Sequence, residues 1–486
     1  MGEFRFRVPV DWQLDPYHAN SIHVVGLDGI PWPCRIETTE DPDDPRNRKL
    51  FSVIRNRNES GRLYIVYRFE NRGEQLVCTG TLPVRDEPYD LCIEVARGTL
   101  NRLRNQVSIW EEGGLNINAQ VRELIDDATS LLGSAILSTN GEDGDQNARQ
   151  SLENTMDAIF LLADLFAEQI SKVRREHPDL PNFWVANQVG IDDQFVSSIQ
   201  HDSFDLVQVK IPPYGGDGPT KETVEGIGKR AIIGPWLDAS VGGMSQELIN
   251  VDDFLARKDQ LIIECRQMLR NLPTTASLLH VVSGLNGTGH RHLSYPQQLQ
   301  VTVDLLKLIE ESSTELPTMV SFDFPWAERL AGAVGGVHPL QIADSLLRQG
   351  LSISFLGLDI NLDYWPNGSA IRDPLQWIDL VDIWAQLGMP LVVCLRCPFN
   401  ESASEVQIET GSKNQTRSDV SDQQRIEFLN TVLPMLVARP SVHGLIMRQW
   451  QDQDDRRFPF AGYVDTNGDA KVIDQAIQRV RNAIVG

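Results

Sequence analysis

Acidic, amide and aromatic residues interrupt an apolar run in the stretch "ISFLGLDINLDYWPNG", where Asp359, Asn361, Asp363, Tyr364 and Trp365 follow one another closely. Carboxylates and amides hydrogen-bond to hydroxyl groups, and indole rings pack against the C–H faces of sugars. We therefore interpret this stretch as the rim of a pocket for a polyhydroxylated ligand, with Asp359 and Asn361 as hydrogen-bonding groups and Trp365 as a platform. The alternative is structural: Asp363 and "PNG" turn the chain, and Asp359 caps a backbone N–H group.

Residues of the same chemical types follow other short apolar runs. They are Trp236, Asn286, His290, Trp326, Arg396, Arg448, Trp450 and Asp452. A neutral sugar offers hydroxyl groups to such charged and amide side chains, and it offers C–H faces to indole rings. We predict that these residues bind the substrate together with Asn361, Tyr364 and Trp365. For His290, in the run "GTGHRH", a solvated turn is the alternative.

Eight short apolar segments after "HPDLP" must position these side chains. They are "NFWVANQVG", "FDLVQVKI", "RAIIGPWL", "LLHVVSGL", "TMVSFDF", "SISFLGLDI", "PLVVCLR" and "HGLIMRQW". Helical patterns such as "YPQQLQVTVDLLKLIEESS" fill most of the gaps, although "PPYGGDGPTKETVEGIGK" is too rich in glycine to predict a helix firmly. Eight β/α units predict a (β/α)8 TIM barrel, in which the carboxyl ends of the strands meet at one mouth.

The segments before this barrel have different patterns. Residues 1–90 carry short β-type runs such as "RLYIVYRF", separated by clusters such as "EDPDDPRN", and they predict a small antiparallel, sandwich-like domain that serves as a carbohydrate-binding or accessory module. Residues 91–180 space apolar residues at three and four, which predicts a helical segment packing on the barrel. The expected fold class is therefore α/β, with the barrel at 181–486 following the β domain and the helical segment.

The composition narrows the range of partners. Among 486 residues, 67 are acidic and 44 are basic, so the net charge is −23. Such a surface repels phosphate backbones and anionic lipids, which excludes nucleic acid and membranes as expected partners and leaves a carbohydrate ligand. We find no signal peptide and no membrane-spanning run in the sequence, and we expect a cytoplasmic protein. The oligomeric state stays open.

Two short motifs resemble metal sites, but neither supports one. Cys394 and Cys397 lie three residues apart on a predicted strand, so their side chains face opposite sides of the sheet. The run "DTNGD" lacks the glutamate that closes a calcium-binding loop, and we interpret it as a turn. Because the sequence also has no nucleotide-binding fingerprint, we predict neither a metal nor a cofactor.

Several segments together resemble the barrel of glycoside hydrolase family 10, the xylanase-type family, and especially divergent xylanase-like proteins of planctomycete bacteria. The matching segments are "VSFDFPWAE", "FLGLDINLDYWPNG", "WAQLGMPLVV" and "GYVDTNGDAKV", in this order. The resemblance covers roughly residues 181–486. It implies a TIM barrel that acts on a β-linked polysaccharide such as xylan.

The resemblance fails at the two catalytic glutamates of that family. Gly284 stands where the fourth strand of the family ends in its acid/base, and Leu395 stands at the position of the nucleophile. Because glycosidases need two carboxyl groups across the scissile bond, hydrolysis here would require relocated acids. Asp323, Glu328 and Asp359 are the nearest candidates for catalysis. The alternatives are a catalytically inactive protein that still binds carbohydrate, and a scaffold with a vestigial cleft.

Overall fold

A computed structural model describes most of the chain. The described residues are 2–9, 11, 21–41, 44, 48–138, 141–177, 182–190, 203–210, 221–240, 254–286, 293–312, 314–332, 336–399, 415–416, 420–452 and 457–485. His290 lies outside this set, so its predicted role in ligand binding stays a prediction. No helix in the described ranges is long and apolar enough to cross a membrane.

The N-terminal strands form two four-stranded sheets. The strands are β1 (Gly2–Val8), β2 (His23–Gly26), β3 (Pro31–Trp32), β4 (Cys34–Glu40), β5 (Lys49–Arg55), β6 (Gly61–Phe69), β7 (Gly73–Cys78) and β8 (Tyr89–Asp90). Their orders are β4-β5-β1-β8 and β3-β2-β6-β7, and every pairing except that of β1 with β8 is antiparallel. Phe4, Phe6 and Val8 alternate along β1 and are buried, as expected when one face of a sheet covers a core.

Three long helices follow these sheets: α1 (Leu91–Glu112), α2 (Ala119–Leu137) and α3 (Gly141–Glu176). Asp90 and Asn118 begin α1 and α2 as N-caps, each accepting a hydrogen bond from a backbone N–H three residues later. The ring of Phe160 on α3 meets that of Phe428 edge to face, at 6.2 Å between centroids, so the helix packs against the C-terminal half of the chain.

Eight parallel strands close into a ring, which confirms the predicted (β/α)8 barrel. They are β9 (Trp184–Val189), β10 (Leu206–Val209), β11 (Arg230–Ile233), β13 (Ala276–Leu285), β14 (Thr318–Asp323), β15 (Phe355–Asn361), β17 (Leu391–Arg396) and β19 (Val442–Met447). Pairings of β11 with β13 and of β19 with β9 complete the ring, and the short strand β12 (Leu237–Asp238) extends it along β13. A two-stranded ribbon joins β16 (Tyr364–Trp365) to β18 (Gln415–Thr416).

Helices fill the intervals between the barrel strands. They are α4 (Lys221–Gly226), α5 (Phe254–Arg270), α6 (Tyr295–Glu311), α7 (Pro339–Leu347), α8 (Pro374–Ala385), α9 (Asp422–Val437) and α10 (Ile473–Val485), with a 3-10 turn at Glu328–Gly332. The glycine-rich unit after β10 contains the six-residue helix α4.

The barrel interior changes from apolar to polar along the strands. Its lower part is a cluster that takes side chains from most of the strands: Ala186, Leu206, Ile232, Leu278, Met319, Val392, Cys394 and Ile446. Because side chains alternate along a strand, the residue two positions further on also faces inward. On three strands that residue is Gln208, His280 and Ser321, and all three are fully buried. A polar layer therefore lies between the apolar floor and the mouth.

The N-terminal sheet is joined to the barrel by backbone and side-chain contacts. The N–H group of Leu76 on β7 donates to the carbonyl of Ile371 at 2.7 Å, and Gln376 on α8 donates its Nε2 to the carbonyl of Leu76 at 2.6 Å. Arg102 on α1 forms an ion pair of 2.5 Å with Asp373, which is completely buried. These contacts fix the segment between β16 and α8, which borders the barrel mouth.

Candidate active site

Asp359 is the most firmly held carboxylate at the barrel mouth. Its Oδ1 accepts a hydrogen bond from Arg448 at 2.5 Å, and its Oδ2 accepts from the Ser321 hydroxyl at 2.5 Å and from the backbone N–H of Gly284 at 2.9 Å. Gly284 belongs to β13, so the carboxylate extends from β15 across β14. Three donors, on β13, on β14 and directly after β19, thus stabilise the negative charge of one buried group.

The polar layer below Asp359 forms one directed hydrogen-bond chain. Because Ser321 gives its only proton to Asp359, His280 must donate Nε2–H to the Ser321 oxygen, a contact of 2.9 Å. The other ring nitrogen, Nδ1, then accepts from Gln208 Nε2 at 2.7 Å. Burial lowers the pKa of His280 to about 3, in agreement with a neutral ring. Ser321 donates its hydroxyl proton to Asp359 and not to His280. Ser321 and His280 are therefore not arranged as a nucleophile and its general base.

Asp323 ends β14 beside Asp359 but has different neighbours. The two residues are directly paired in the sheet register, so both side chains face the barrel interior. Asp323 Oδ1 accepts from Asn361 Nδ2 at 3.1 Å and from the N–H of Phe324 at 3.2 Å. Asn361 in turn accepts from Arg396 at 3.0 Å. Asn361 therefore lies between the Arg396 cation and Asp323, whereas Arg448 contacts Asp359 directly.

The surroundings of Asp323 raise its proton affinity. Burial raises the pKa of Asp323 to about 7, and the negative charge of Asp359 adds to this effect. Arg329 and Arg396 act in the opposite direction but do not compensate. Near neutral pH, Asp323 therefore exchanges a proton beside a carboxylate that is held by an arginine, which is an arrangement suited to general acid catalysis.

A third aspartate, which sequence reasoning did not select, forms another wall of the mouth. Asp238 on β12 accepts from Arg457 at 2.8 Å and from the hydroxyl and N–H groups of Ser240. Burial alone would raise the pKa of Asp238, but Arg457, Lys210 and Arg448 outweigh burial and hold that pKa below its ordinary value. Asp238 is therefore a permanent anion that balances the surrounding cations.

Several buried polar atoms near the strand ends lack a partner among the described residues. They are Gln188 Oε1, Ser283 Oγ and Asn286 Oδ1. An unpaired buried polar atom costs about 1–3 kcal/mol, so such atoms in a native protein call for water or a ligand. All three accept hydrogen bonds, and the hydroxyls of a bound polyol can supply the donors.

Gly284 and Leu395, which the sequence resemblance predicts to stand at catalytic positions, have structural roles. Gly284 has φ +69°, and a Cβ atom there would lie 2.6 Å from the backbone nitrogen of Ser240. Leu395 is fully buried in the core outside the barrel, so the inward-facing residues of β17 are Val392, Cys394 and Arg396. A cation therefore ends the seventh strand.

Of three other predicted site residues, one contacts the aspartate pair and two have partners elsewhere. Asn286 joins the pair, because its amide donates to the Asp323 carbonyl at 3.3 Å. Glu328 turns away from it and accepts instead from Ser369 at 2.5 Å. Trp326 donates its indole N–H to the Gln376 carbonyl and lies under the guanidinium of Arg372, 4.8 Å from its ring centroid.

Three predicted aromatic ligands are core residues, and one predicted acid is in an ion pair. Trp236, Tyr364 and Trp450 are each at least 98 % buried. The Tyr364 hydroxyl donates to the Pro459 carbonyl at 2.8 Å, so its polar end is already occupied. Asp452 pairs with Lys471 at 2.7 Å. Trp365, by contrast, is only half-buried, so part of its indole ring is exposed.

The cysteines and acids give no indication of a metal. Cys394 lies inside the barrel and Cys397 in the surrounding core, as expected for residues three apart on a strand. Burial raises the pKa of both thiols. Across the described ranges, no group of three or more His, Cys, Asp or Glu side chains is placed to hold a metal ion.

Comparisons with known proteins find similar folds only among solved structures. Neither the protein-family models nor the curated proteins match this sequence. Xylanase 10B from Thermotoga maritima is 10 % identical and aligns over 66 % of this chain and 97 % of its own, with a TM-score of 0.43. A thermostable mutant of the xylanase Xyn10A from Cellvibrio japonicus is 11 % identical over 61 % and 97 %, with a TM-score of 0.44. A GH128 endo-β-1,3-glucanase from Sorangium cellulosum is 13 % identical over 60 % and 97 %, at 0.39. The fold assignment therefore depends on the observed strand pairing.

Proposed function

We propose that this protein is glycoside hydrolase-like, that its barrel mouth binds a β-linked polysaccharide such as xylan, and that Asp323 and Asp359 hydrolyse it. The observation that carries the proposal is the unlike pair of neighbouring carboxyl groups, one with a pKa near 7 and one held by Arg448, Ser321 and Gly284. Glycoside cleavage requires one carboxyl group that gives a proton and a second that stays anionic.

In this proposal, Asp323 protonates the glycosidic oxygen as its bond to C1 breaks, and Asp359 supplies the negative charge that stabilises the oxocarbenium-like transition state. A water molecule then adds to C1 and gives a proton back to Asp323. Asn361 positions the Asp323 carboxyl through the contact of 3.1 Å. Gln188, Ser283 and Asn286 offer acceptors to sugar hydroxyls.

The second candidate is a protein that binds the same polysaccharide without cleaving it. A specific observation favours it: both oxygens of Asp359 already accept hydrogen bonds, which weakens this carboxylate as a base or a nucleophile. The two candidates differ in whether a glycosidic bond breaks.

The test is hydrolysis of aryl β-xylosides and β-glucosides. We expect the wild-type protein to release the aryl alcohol and Asp323→Asn to lose about 10²–10⁴-fold in rate with a poor leaving group such as phenol, as for a lost general acid. The loss should be much smaller for 4-nitrophenol, which leaves without protonation. Asp344→Asn, which changes an exposed carboxyl on α7, is the matched control and should behave as wild type.

Three results decide between the candidates. Aryl alcohol release that depends on Asp323 and on the leaving group supports hydrolysis. No release from any glycoside, together with a rise in melting temperature on adding xylo- or gluco-oligosaccharides, supports binding alone. If the protein neither cleaves nor is stabilised by these sugars, the proposed function is wrong.

A further inference from the structure

A cavity lies between the N-terminal sheet and the segments that follow β14 and β15. It has a volume of about 220 Å³, and its walls include His23, Leu76, Phe324, Glu328, Trp365 and Arg372. Pockets for drug-sized ligands have volumes of about 300–1,000 Å³, so this cavity has room for one small ring and not for an oligomer. We call it the junction cavity.

A carboxylate and a guanidinium in the junction cavity are each incompletely paired. Glu328 Oε1 accepts from Ser369 at 2.5 Å, whereas its Oε2 is buried and has no partner within the described chain. Arg372, which is 2 % exposed, gives its NH1 to Gln376 at 3.0 Å, but its buried Nε has no partner there. The closest atoms of Glu328 and Arg372 are 3.9 Å apart, so the two charges do not satisfy each other.

The unpaired atoms define which ligand can fill this cavity. A hydroxyl group both donates and accepts, so two neighbouring hydroxyls on one ring can donate to Glu328 and accept from Arg372. Arg329 also lines the cavity, so its charged groups are one carboxylate and two guanidinium groups. A neutral polyol can supply the donor that Glu328 Oε2 lacks and the acceptor that Arg372 Nε lacks.

Aromatic side chains give the cavity a complementary apolar surface. Trp365 and Phe324 line the wall on the barrel side, and such rings pack against the C–H faces of a sugar. His23, on the sheet side, hydrogen-bonds through Nδ1 to the Ser21 carbonyl at 2.9 Å, and burial lowers its pKa to about 3. The histidine is therefore neutral at physiological pH and adds no charge that would select an anion.

We propose that the junction cavity is a second carbohydrate site that holds a single neutral sugar ring, with Glu328 and Arg372 binding neighbouring hydroxyls and Trp365 covering one face. This site goes beyond the proposed function, because it uses the N-terminal sheet and contains neither Asp323 nor Asp359. A sugar bound there contacts both the sheet and the loops that follow β14 and β15.

Isothermal titration of the full-length protein with D-xylose tests this site. We expect saturable binding that becomes about tenfold weaker in Glu328→Gln and in Trp365→Ala, a change equivalent to about 1.4 kcal/mol. Glu427→Gln, on the exposed face of α9, is the matched control for the loss of a carboxylate.

Three outcomes would overturn the proposal. They are no binding of D-xylose to the wild-type protein, equal binding by Glu328→Gln, Trp365→Ala and wild type, and tighter binding of D-glucuronate than of D-xylose, which would indicate an anion site. Trp365 is half-buried, so its truncation should leave the fold intact even if Glu328→Gln disturbs the turn around Ser369. Aryl glycoside hydrolysis is a separate readout, so failure here does not imply failure of the proposed function.

Discussion

Replacing Asp323 with asparagine should change the pH dependence of stability in a defined direction. Asparagine keeps the shape of the side chain and an oxygen that can accept from Asn361, but it does not titrate. In the wild-type protein the pKa of Asp323 rises from 3.8 to about 7 on folding. Between these two values the folded protein therefore holds a proton that the unfolded chain has released.

The sign and size of the effect follow from proton linkage. Because the unfolded chain binds fewer protons in this window, wild-type stability falls as the pH rises from about 4 to about 7, relative to the asparagine variant. Full ionisation of Asp323 destabilises the folded state by roughly 4 kcal/mol, since one pKa unit corresponds to about 1.4 kcal/mol. Of this, roughly 3 kcal/mol should appear between pH 5 and pH 8.

Urea unfolding followed by tryptophan fluorescence measures this difference. The free energy of unfolding of Asp323→Asn minus that of the wild type should increase from pH 5 to pH 8, and Asp344→Asn should show no such increase. A difference between variant and wild type that is the same at both pH values would refute the assignment of a raised pKa to Asp323.

Three further predictions concern the surroundings of the pair. Arg448→Met leaves the Asp359 carboxylate buried without its cation, so it should lower the free energy of unfolding by about 3–5 kcal/mol. Adding Asp359→Asn should restore part of this loss, and no recovery in the double variant would contradict the pairing. Gly284→Ala should destabilise by about 1–3 kcal/mol, seen in the melting temperature, because φ is +69° and Ser240 blocks the new Cβ; an unchanged melting temperature would contradict this geometry. Because the pKa of His280 falls from 6.5 to about 3 on folding, wild-type stability should be lost as the pH drops below 6.5, and His280→Gln should unfold less steeply with acid than the wild type does.

The barrel could be predicted from sequence because its strands are short, apolar and separated by helical patterns. Each of the eight predicted segments overlaps an observed barrel strand, including "LLHVVSGL" and "TMVSFDF", which contain His280 and Ser321. The polar layer inside the barrel was missed, since a parallel strand is buried on both faces and its sequence does not show which face is internal. The alternation of Ser321 and Asp323 along β14 was the available signal.

The site was predicted in part, because position at a strand end does not fix side-chain direction. Asp323 ends β14, and Asp359 and Asn361 are the last two inward residues of β15, so alternation brings the three together. Glu328 lies on a 3-10 turn that directs it to Ser369. The hydroxyl of Tyr364, a core residue, donates to the carbonyl of Pro459, 95 residues later in the chain, and local sequence carries no information about such a contact.

The bond between Leu76 and Ile371 has a consequence for how the protein can be dissected. A fragment that starts at the first barrel strand would lose Arg102 and the Leu76 carbonyl, and Asp373 and Gln376 would then be left without their partners from the N-terminal region. Excision would thus expose the internal carboxylate of Asp373 and remove the cation that pairs with it. The barrel alone is therefore a poor choice for expression as a separate domain, and a fragment should also include the N-terminal sheets and α1.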